Sequence, residues 1–407
     1  MSRKMSLRIG IFGLAAAAVF GLGFSRRLAG SAGRPIVLSG GTLIDGNGGP
    51  PQTDMDVVVL EDRIAAVGPR GTIPIPAGAM MLDLRGRTVL PGFINAHAHY
   101  THVVSNLYAW GREGVTTVRN LVCDWTEYQF CKAFIRQWND PRIPRVLFTG
   151  PCLDVPGGRW YNSATNRIWL TSVADARRQT DFLLDQGVDL IKVYLEDGSA
   201  WGESYAVMPP EMLRAIVETA HARNARVTAH VQVLRLLEMA LDCGVDDIAH
   251  SILDRLIPDD VIARMVQSDT YLIPTLEIIY GPSGFRSMGQ ANLRRLVDGG
   301  VHVALGTDFE PGLQTGMPSI EMQLMLEAGL TPLQMIVAAT KHAAHVCGLD
   351  AEVGTVEPGK IADILVVDGD PLVDLNVLKN NRILVIRNGL IAFSRLTSRS
   401  MTRGYIR

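Results

Sequence analysis

The fold turns on one stretch, Pro91-Gly92-Phe93-Ile94-Asn95-Ala96-His97-Ala98-His99. It is an apolar run that opens on Pro-Gly and ends in an i, i+2 histidine pair. Side chains on a strand alternate with period two, so both imidazoles leave a strand on the same face. Seven more apolar runs of β type follow, at 115–119, 145–149, 190–194, 226–230, 247–250, 271–275 and 301–306. Amphipathic segments such as 210–224 and 231–243 lie between them, and Gly244 and Gly300 stand where a helix end precedes the next strand. Eight strands alternating with helices over about 250 residues is the arithmetic of an α/β fold of the (β/α)8 TIM barrel type. An open doubly wound sheet would carry a glycine-rich phosphate turn after its first strand. Here the first strand ends in histidines.

Outside this span the texture changes. Residues 35–90 and 352–395 read as short strands with turns, among them Asp45-Gly46-Asn47-Gly48-Gly49-Pro50 and the hairpin dipeptide Asn388-Gly389. The 407 residues therefore divide into a barrel at 89–349 and a small β-sandwich stitched from 35–88 and 350–395. The hydrophobic share of 47% excludes wholesale disorder. A formal charge of −2, from 39 basic and 41 acidic side chains, excludes the basic footprint of a general nucleic-acid binder. Five cysteines in a chain of this length exclude a disulfide scaffold.

The first 32 residues stand apart. Arg3, Lys4 and Arg8 precede residues 9–24, sixteen residues without a charge. A basic start and a short apolar run form the secretory signal pattern, and a bilayer span wants about 20 apolar residues. The expectation is an exported protein, periplasmic or extracellular, with a signal peptide at 1–32. Arg26 and Arg27, directly after the apolar run, resist translocation and leave an uncleaved anchor as the alternative. Removing 1–32 takes away five basic side chains and no acidic one, moving the charge from −2 to about −7.

Four histidines fall at or just past strand ends: His97, His99, His230 and His250. Asp308, in Gly306-Thr307-Asp308, closes the last strand. Active sites of such barrels occupy the face where the strands end. Neutral imidazoles with a carboxylate at one rim suit a borderline cation such as zinc. A lone His-x-His is weak; the joint placement carries the reading. Lys192 sits inside the apolar run Leu190-Ile191-Lys192-Val193-Tyr194. A buried ammonium is costly and its pKa falls. A neutral amine beside a metal can take up CO2 and become a carbamate; an ion pair with Glu196 is the other reading.

With these residues in view the chain resembles the metal-dependent amidohydrolase superfamily. Besides the strand-end residues, the resemblance rests on Leu43-Ile44-Asp45-Gly46 and on Gly354-Thr355-Val356-Glu357-Pro358-Gly359-Lys360-Ile361-Ala362-Asp363-Ile364. Ile191-Lys192-Val193 and Pro274-Thr275-Leu276 resemble the imidazolonepropionase-like and Xaa-Pro dipeptidase-like branch. The likeness spans about residues 36 to 393. It implies two divalent ions, most often zinc. One would be held by His97, His99 and Asp308, and the other by His230 and His250. Carboxylated Lys192 and a hydroxide would bridge them. Asp308 would be the catalytic residue, taking the proton of the hydroxide and delivering it to the leaving nitrogen.

The activity implied is hydrolysis of an amide, cyclic amide or peptide-like bond in a small molecule, dipeptidase or carboxypeptidase substrates included. A mononuclear deaminase of the same superfamily is the enzymatic alternative, and a non-catalytic scaffold the alternative from another class. His102, Arg119 and Tyr194 are candidate substrate contacts. For each there is a plainer reading: a loop histidine, an inter-strand ion pair and a packing tyrosine. Cys123, Cys131 and Cys152 lack metal spacing and read as packing or as a disulfide. No nucleic-acid partner is expected, a membrane contact only through the N-terminal segment, and a homo-oligomer is plausible from the family.

Overall fold

The computed structural model describes residues 34–396 and 401–403, apart from 160, 162–163 and 280–283. The segment read as a signal peptide lies outside the described residues. Within them no helix is long and apolar enough to cross a membrane.

Seven of the eight expected strands form, and with the extended segment 301–306 they close into a ring. Phe93–Ala98, Val115–Asn120 and Arg145–Phe148 pair in parallel in that order. Ile191–Tyr194, Val227–His230, Asp247–Ala249 and Tyr271–Ile273 form a second parallel ladder. The Asp189 amide donates to Phe148 O at 2.8 Å and joins the two. On the other side Ala304 N donates to Leu272 O and Ala96 N to Leu305 O, both at 2.8 Å, which completes the circle. The strands are buried on both faces, as parallel strands under a layer of helices must be. Their apolar runs follow from that.

Two features differ from the sequence expectation. Residues 301–306 do not form a continuous strand; only Val303 bridges to Leu272. The cause lies in the helical segment behind, where Ala338 O takes the Leu305 amide at 2.9 Å and His342 Nδ1 lies 3.0 Å from Val303 O. Those groups are thereby lost to the ladder. The third strand also continues past Gly150 into Cys152–Asp154, on whose outer side Arg167–Trp169 pairs in parallel. Leu153 pairs with Val193 of the fourth strand.

A nine-stranded sheet draws on both ends of the chain. Arg87–Pro91 runs antiparallel to Ile364–Asp368 at its centre, with Ile36–Leu43 on one flank and Arg382–Arg387 on the other. The Asn388-Gly389 turn forms as expected, both residues at positive φ, between Arg382–Arg387 and Leu390–Ser394. The sheet hands the chain to the barrel at Gly92. A Cβ there would lie 2.4 Å from the Thr116 side chain, so only glycine lets the two strands approach.

Arg119, a candidate substrate contact from the sequence, belongs to the barrel core instead. It is fully buried and donates to both oxygens of Asp247, at 2.9 and 3.0 Å. It also donates to Ala96 O at 2.6 Å and Val346 O at 2.8 Å. The Asp247 carboxylate, at the start of the sixth strand, draws the guanidinium into the interior and away from the mouth. All five cysteines are buried and unpaired, so the packing reading holds and the disulfide does not form. Replacing Asp247 by Ala would strand a buried guanidinium; the expected loss is ~3–5 kcal/mol, read from the denaturant midpoint.

Candidate active site

A cavity of about 510 Å³ opens where the barrel strands end. His97, His99, Lys192, Tyr194, His230, His250 and Asp308 all line it. Asp308 is the hub. Its Oδ1 lies 3.0 Å from His97 Nε2 and 2.7 Å from His99 Nε2, and its Oδ2 lies 3.8 Å from His250 Nδ1. The backbone sets this closeness, because His97 O accepts the amides of both Thr307 and Asp308 at 3.1 and 2.8 Å. Asn95, to which the sequence assigned no role, ties the same seam. Its Oδ1 accepts from the His97 and Thr307 amides, and its Nδ2 donates to Thr307 Oγ1 at 2.9 Å. A Cβ on Gly306 would lie 2.5 Å from Ile273 and 2.8 Å from the His97 Cβ. Asp308 and His250 both sit at positive φ, 53° and 78°. Such backbone is uncommon for residues other than glycine and clusters at functional sites.

Burial governs the electrostatics. It would raise the Asp308 carboxyl, but the imidazoles of His97, His99 and His250 hold it well below the carboxylate range. Burial drives His97 down to about 3 and His230 and His250 well below their usual value, so these three rings are neutral, whereas the hydrogen bond and charge of Asp308 raise His99 against its burial. Burial also brings the Lys192 amine down to about 8. The residue is 2% exposed, and its Nζ has no hydrogen-bond partner among the described residues. The ion pair with Glu196 is not made. Glu196 instead accepts from the Gly198 amide at 2.8 Å and faces His230 Nε2 at 3.4 Å.

These residues fit a metal. Ligand atoms of His97, His250 and Asp308 all lie within 4.8 Å of one another. His97 Nδ1 is a second buried nitrogen without a hydrogen-bond partner among the described residues. His230 stands beside the set, its ring 4.4 Å from that of His250.

Tyr194 stacks on His230 with centroids 3.9 Å apart and the planes at 18°. It lines the cavity and packs against a ligand candidate at once. His102 is half-buried behind the wall, with Nδ1 3.1 Å from Glu127, and it does not reach the cavity as a lining residue. The sequence reading missed Arg159 and Arg167, both of which line the cavity. Arg167 lies 3.8 Å over the Tyr194 ring and pairs with Asp154 at 3.0 Å. Two arginines in the polar stretch after the third strand are a signal, but only the extra parallel strands bring them to the mouth.

A barrel with a histidine–aspartate cradle at the mouth of its strands is the architecture of a metal-dependent hydrolase. The chain belongs to the amidohydrolase family, whose family model matches residues 88–391. It is similar to imidazolonepropionase of Symbiobacterium thermophilum, 25% identical over 388 residues, 82% of this chain and 90% of that one. It is also similar to ochratoxinase of Aspergillus niger, 29% identical over 408 residues, 84% of this chain and 83% of that one. The crystal structure of a Xaa-Pro dipeptidase with bound methionine in its active site shares the fold. Its TM-score is 0.76 at 22% identity, over 88% of this chain and 99% of that chain. The resemblance to the imidazolonepropionase-like and Xaa-Pro dipeptidase-like branch stands, and the chain is an enzyme acting on carbon–nitrogen bonds.

Because Gly306 lies against His97, Gly306→Ala is expected to displace the ring and cut turnover at least tenfold. The accompanying stability loss should be only ~1–3 kcal/mol by thermal unfolding.

Proposed function

We propose that this chain hydrolyses an amide, cyclic amide or peptide-like bond of a small molecule with two divalent ions, zinc foremost, held at the barrel mouth. His97, His99 and Asp308 would hold one ion, His230 and His250 the other, and Lys192 as a carbamate would serve both. The observation that carries this reading is Lys192, an amine with no hydrogen-bond partner among the described residues, buried in the cavity that the four imidazoles and Asp308 line. With its pKa at about 8, the amine is available to add CO2. A bond forms between Nζ and the carbon, a proton leaves, and the product is an anion with two oxygens.

When bound, the ions supply an activated water and polarise the scissile carbonyl. The protein's own groups do the rest. Asp308, ionised and held by His97 and His99, accepts the proton of the attacking water and passes it to the leaving nitrogen. The substrate enters beside Tyr194, Arg159 and Arg167, which line the same cavity. The printed names of the relatives, an imidazolonepropionase, an ochratoxinase and a Xaa-Pro dipeptidase, support a small substrate with an amide-type bond.

One observation favours the mononuclear deaminase as a second reading: among the described residues the compact set of possible ligands is the single trio His97, His250 and Asp308. Metal analysis separates the two. About two ions per chain fit the hydrolase, and one ion with unmodified Lys192 fits the deaminase. A dipeptide and N-acyl amino acid library, screened on the same sample, tests the substrate class. Export, a separate small β-sandwich domain at 35–88 and 350–395, and self-association belong to this proposal and rest on the sequence.

Lys192→Ala is expected to abolish activity, with partial recovery on adding bicarbonate and a short carboxylic acid. Full activity without additives would remove the carbamate. Asp308→Asn is expected to lower kcat at least ~100-fold with much of the metal retained. Unchanged turnover would take Asp308 out of proton transfer.

A further inference from the structure

The turn after the seventh strand is held more tightly than a surface turn requires. Thr275 is fully buried and sits at φ 47°, in the left-handed region. For a β-branched residue this is a strained outlier that persists only when neighbours over-determine it. The neighbours are visible. Glu321, on the helix Ser319–Glu327, is fully buried. Its Oε1 accepts the Leu276 amide at 2.9 Å and its Oε2 accepts the Glu277 amide at 2.7 Å. On the other side of Thr275, Ser251 Oγ donates to Pro274 O at 3.0 Å, and the His250 amide donates to Ile273 O at 2.9 Å.

The strained residue faces the site. Thr275 Oγ1 lies 2.8 Å from His250 Nδ1. Asp308 Oδ2 lies 3.8 Å from the same nitrogen. The hydroxyl is the nearer partner, and holding Nδ1 leaves Nε2 as the ring atom for a ligand. Without the hydroxyl, Nδ1 would turn to Asp308 and occupy the second oxygen of the group that moves the proton. A histidine that binds metal has its tautomer set by the partner of its other nitrogen.

We propose that Glu321 and Thr275 are positioning residues acting in series: Glu321 clamps the turn, the clamp holds Thr275 in its left-handed conformation, and the Thr275 hydroxyl fixes the ring of His250. The proposal rests on the metal reading given above for His250, and its test has a readout that does not. The two oxygens of Glu321 each take one amide, so an amide side chain cannot replace the fork, because its nitrogen would meet a donor with a donor.

The test uses the zinc-loaded enzyme. Zinc affinity is measured by chelator competition, and the His250 tautomer is read from ring-nitrogen shifts in 15N-histidine-labelled protein. Thr275→Val, of equal shape and without the hydroxyl, is expected to lose ~10–100-fold in zinc affinity and to lose the single Nδ1-protonated form of His250. Thr275→Ser keeps both. Glu321→Gln weakens zinc binding in the wild-type background and adds nothing to Thr275→Val, the mark of two residues acting through one contact. Wild-type affinity and tautomer in Thr275→Val would overturn the proposal. So would a Glu321→Gln effect of equal size in both backgrounds. Should Glu321→Gln fail to fold, the valine and serine variants decide alone. A wild-type enzyme that binds no zinc overturns the metal reading, and the tautomer shift still decides this one.

Discussion

The site depends on one backbone carbonyl. His97 O accepts the amides of Thr307 and Asp308, and so fixes where the first and last barrel strands meet. A carboxylate at positive φ is thereby pinned against two imidazoles, one on the first strand and one just past its end. Every other property of the cluster follows from that seam. The Asn95 side chain ties the His97 and Thr307 amides and the Thr307 hydroxyl along it, and a glycine is required where the strands nearly touch. Burial then keeps His97, His230 and His250 neutral, and the imidazoles around Asp308 hold its carboxyl ionised against that same burial. A site assembled from side chains alone would have no such constraint to keep like groups in register.

Around this hub the cavity wall is chemically divided. Arg159 and Arg167 stand on the side of Tyr194 and Trp201, and Glu127 and Glu310 line the wall as well. Arg167 is held over the Tyr194 ring, which in turn stacks on His230. A cation, an aromatic ring and an imidazole are therefore packed in one column from the wall to the histidine–aspartate cluster.

Much of the barrel was legible because a parallel strand buried on both faces must be apolar throughout, and that pattern shows without any knowledge of partners. The site histidines were legible for a related reason: polar residues at the ends of such runs have nowhere to go but the mouth. The same logic misplaced Arg119. A charge at the end of the second strand reads as a site residue until its partner Asp247, far along the chain, is known to lie across the barrel interior. The break in the eighth strand was invisible because its cause is a carbonyl of a helix behind it. Thr275 and Glu321 were invisible as a pair: one is a conformational outlier and the other a buried acid on an ordinary helix, and only their geometry links them. Arg159 and Arg167 had a signal in their charge but none in their position.

The sheet built from both ends of the chain has a temporal consequence. Arg87–Pro91 lies at its centre and waits for Ile364–Asp368, the strand it pairs with at every residue. During synthesis the whole barrel emerges between the two. The early strands therefore pass through a period as an unpaired apolar edge, the kind of edge that invites pairing with other chains. Closure of the sheet is a late act, and it locks the point where the chain enters the barrel at Gly92. The last strands made thus complete the support of the first histidines placed.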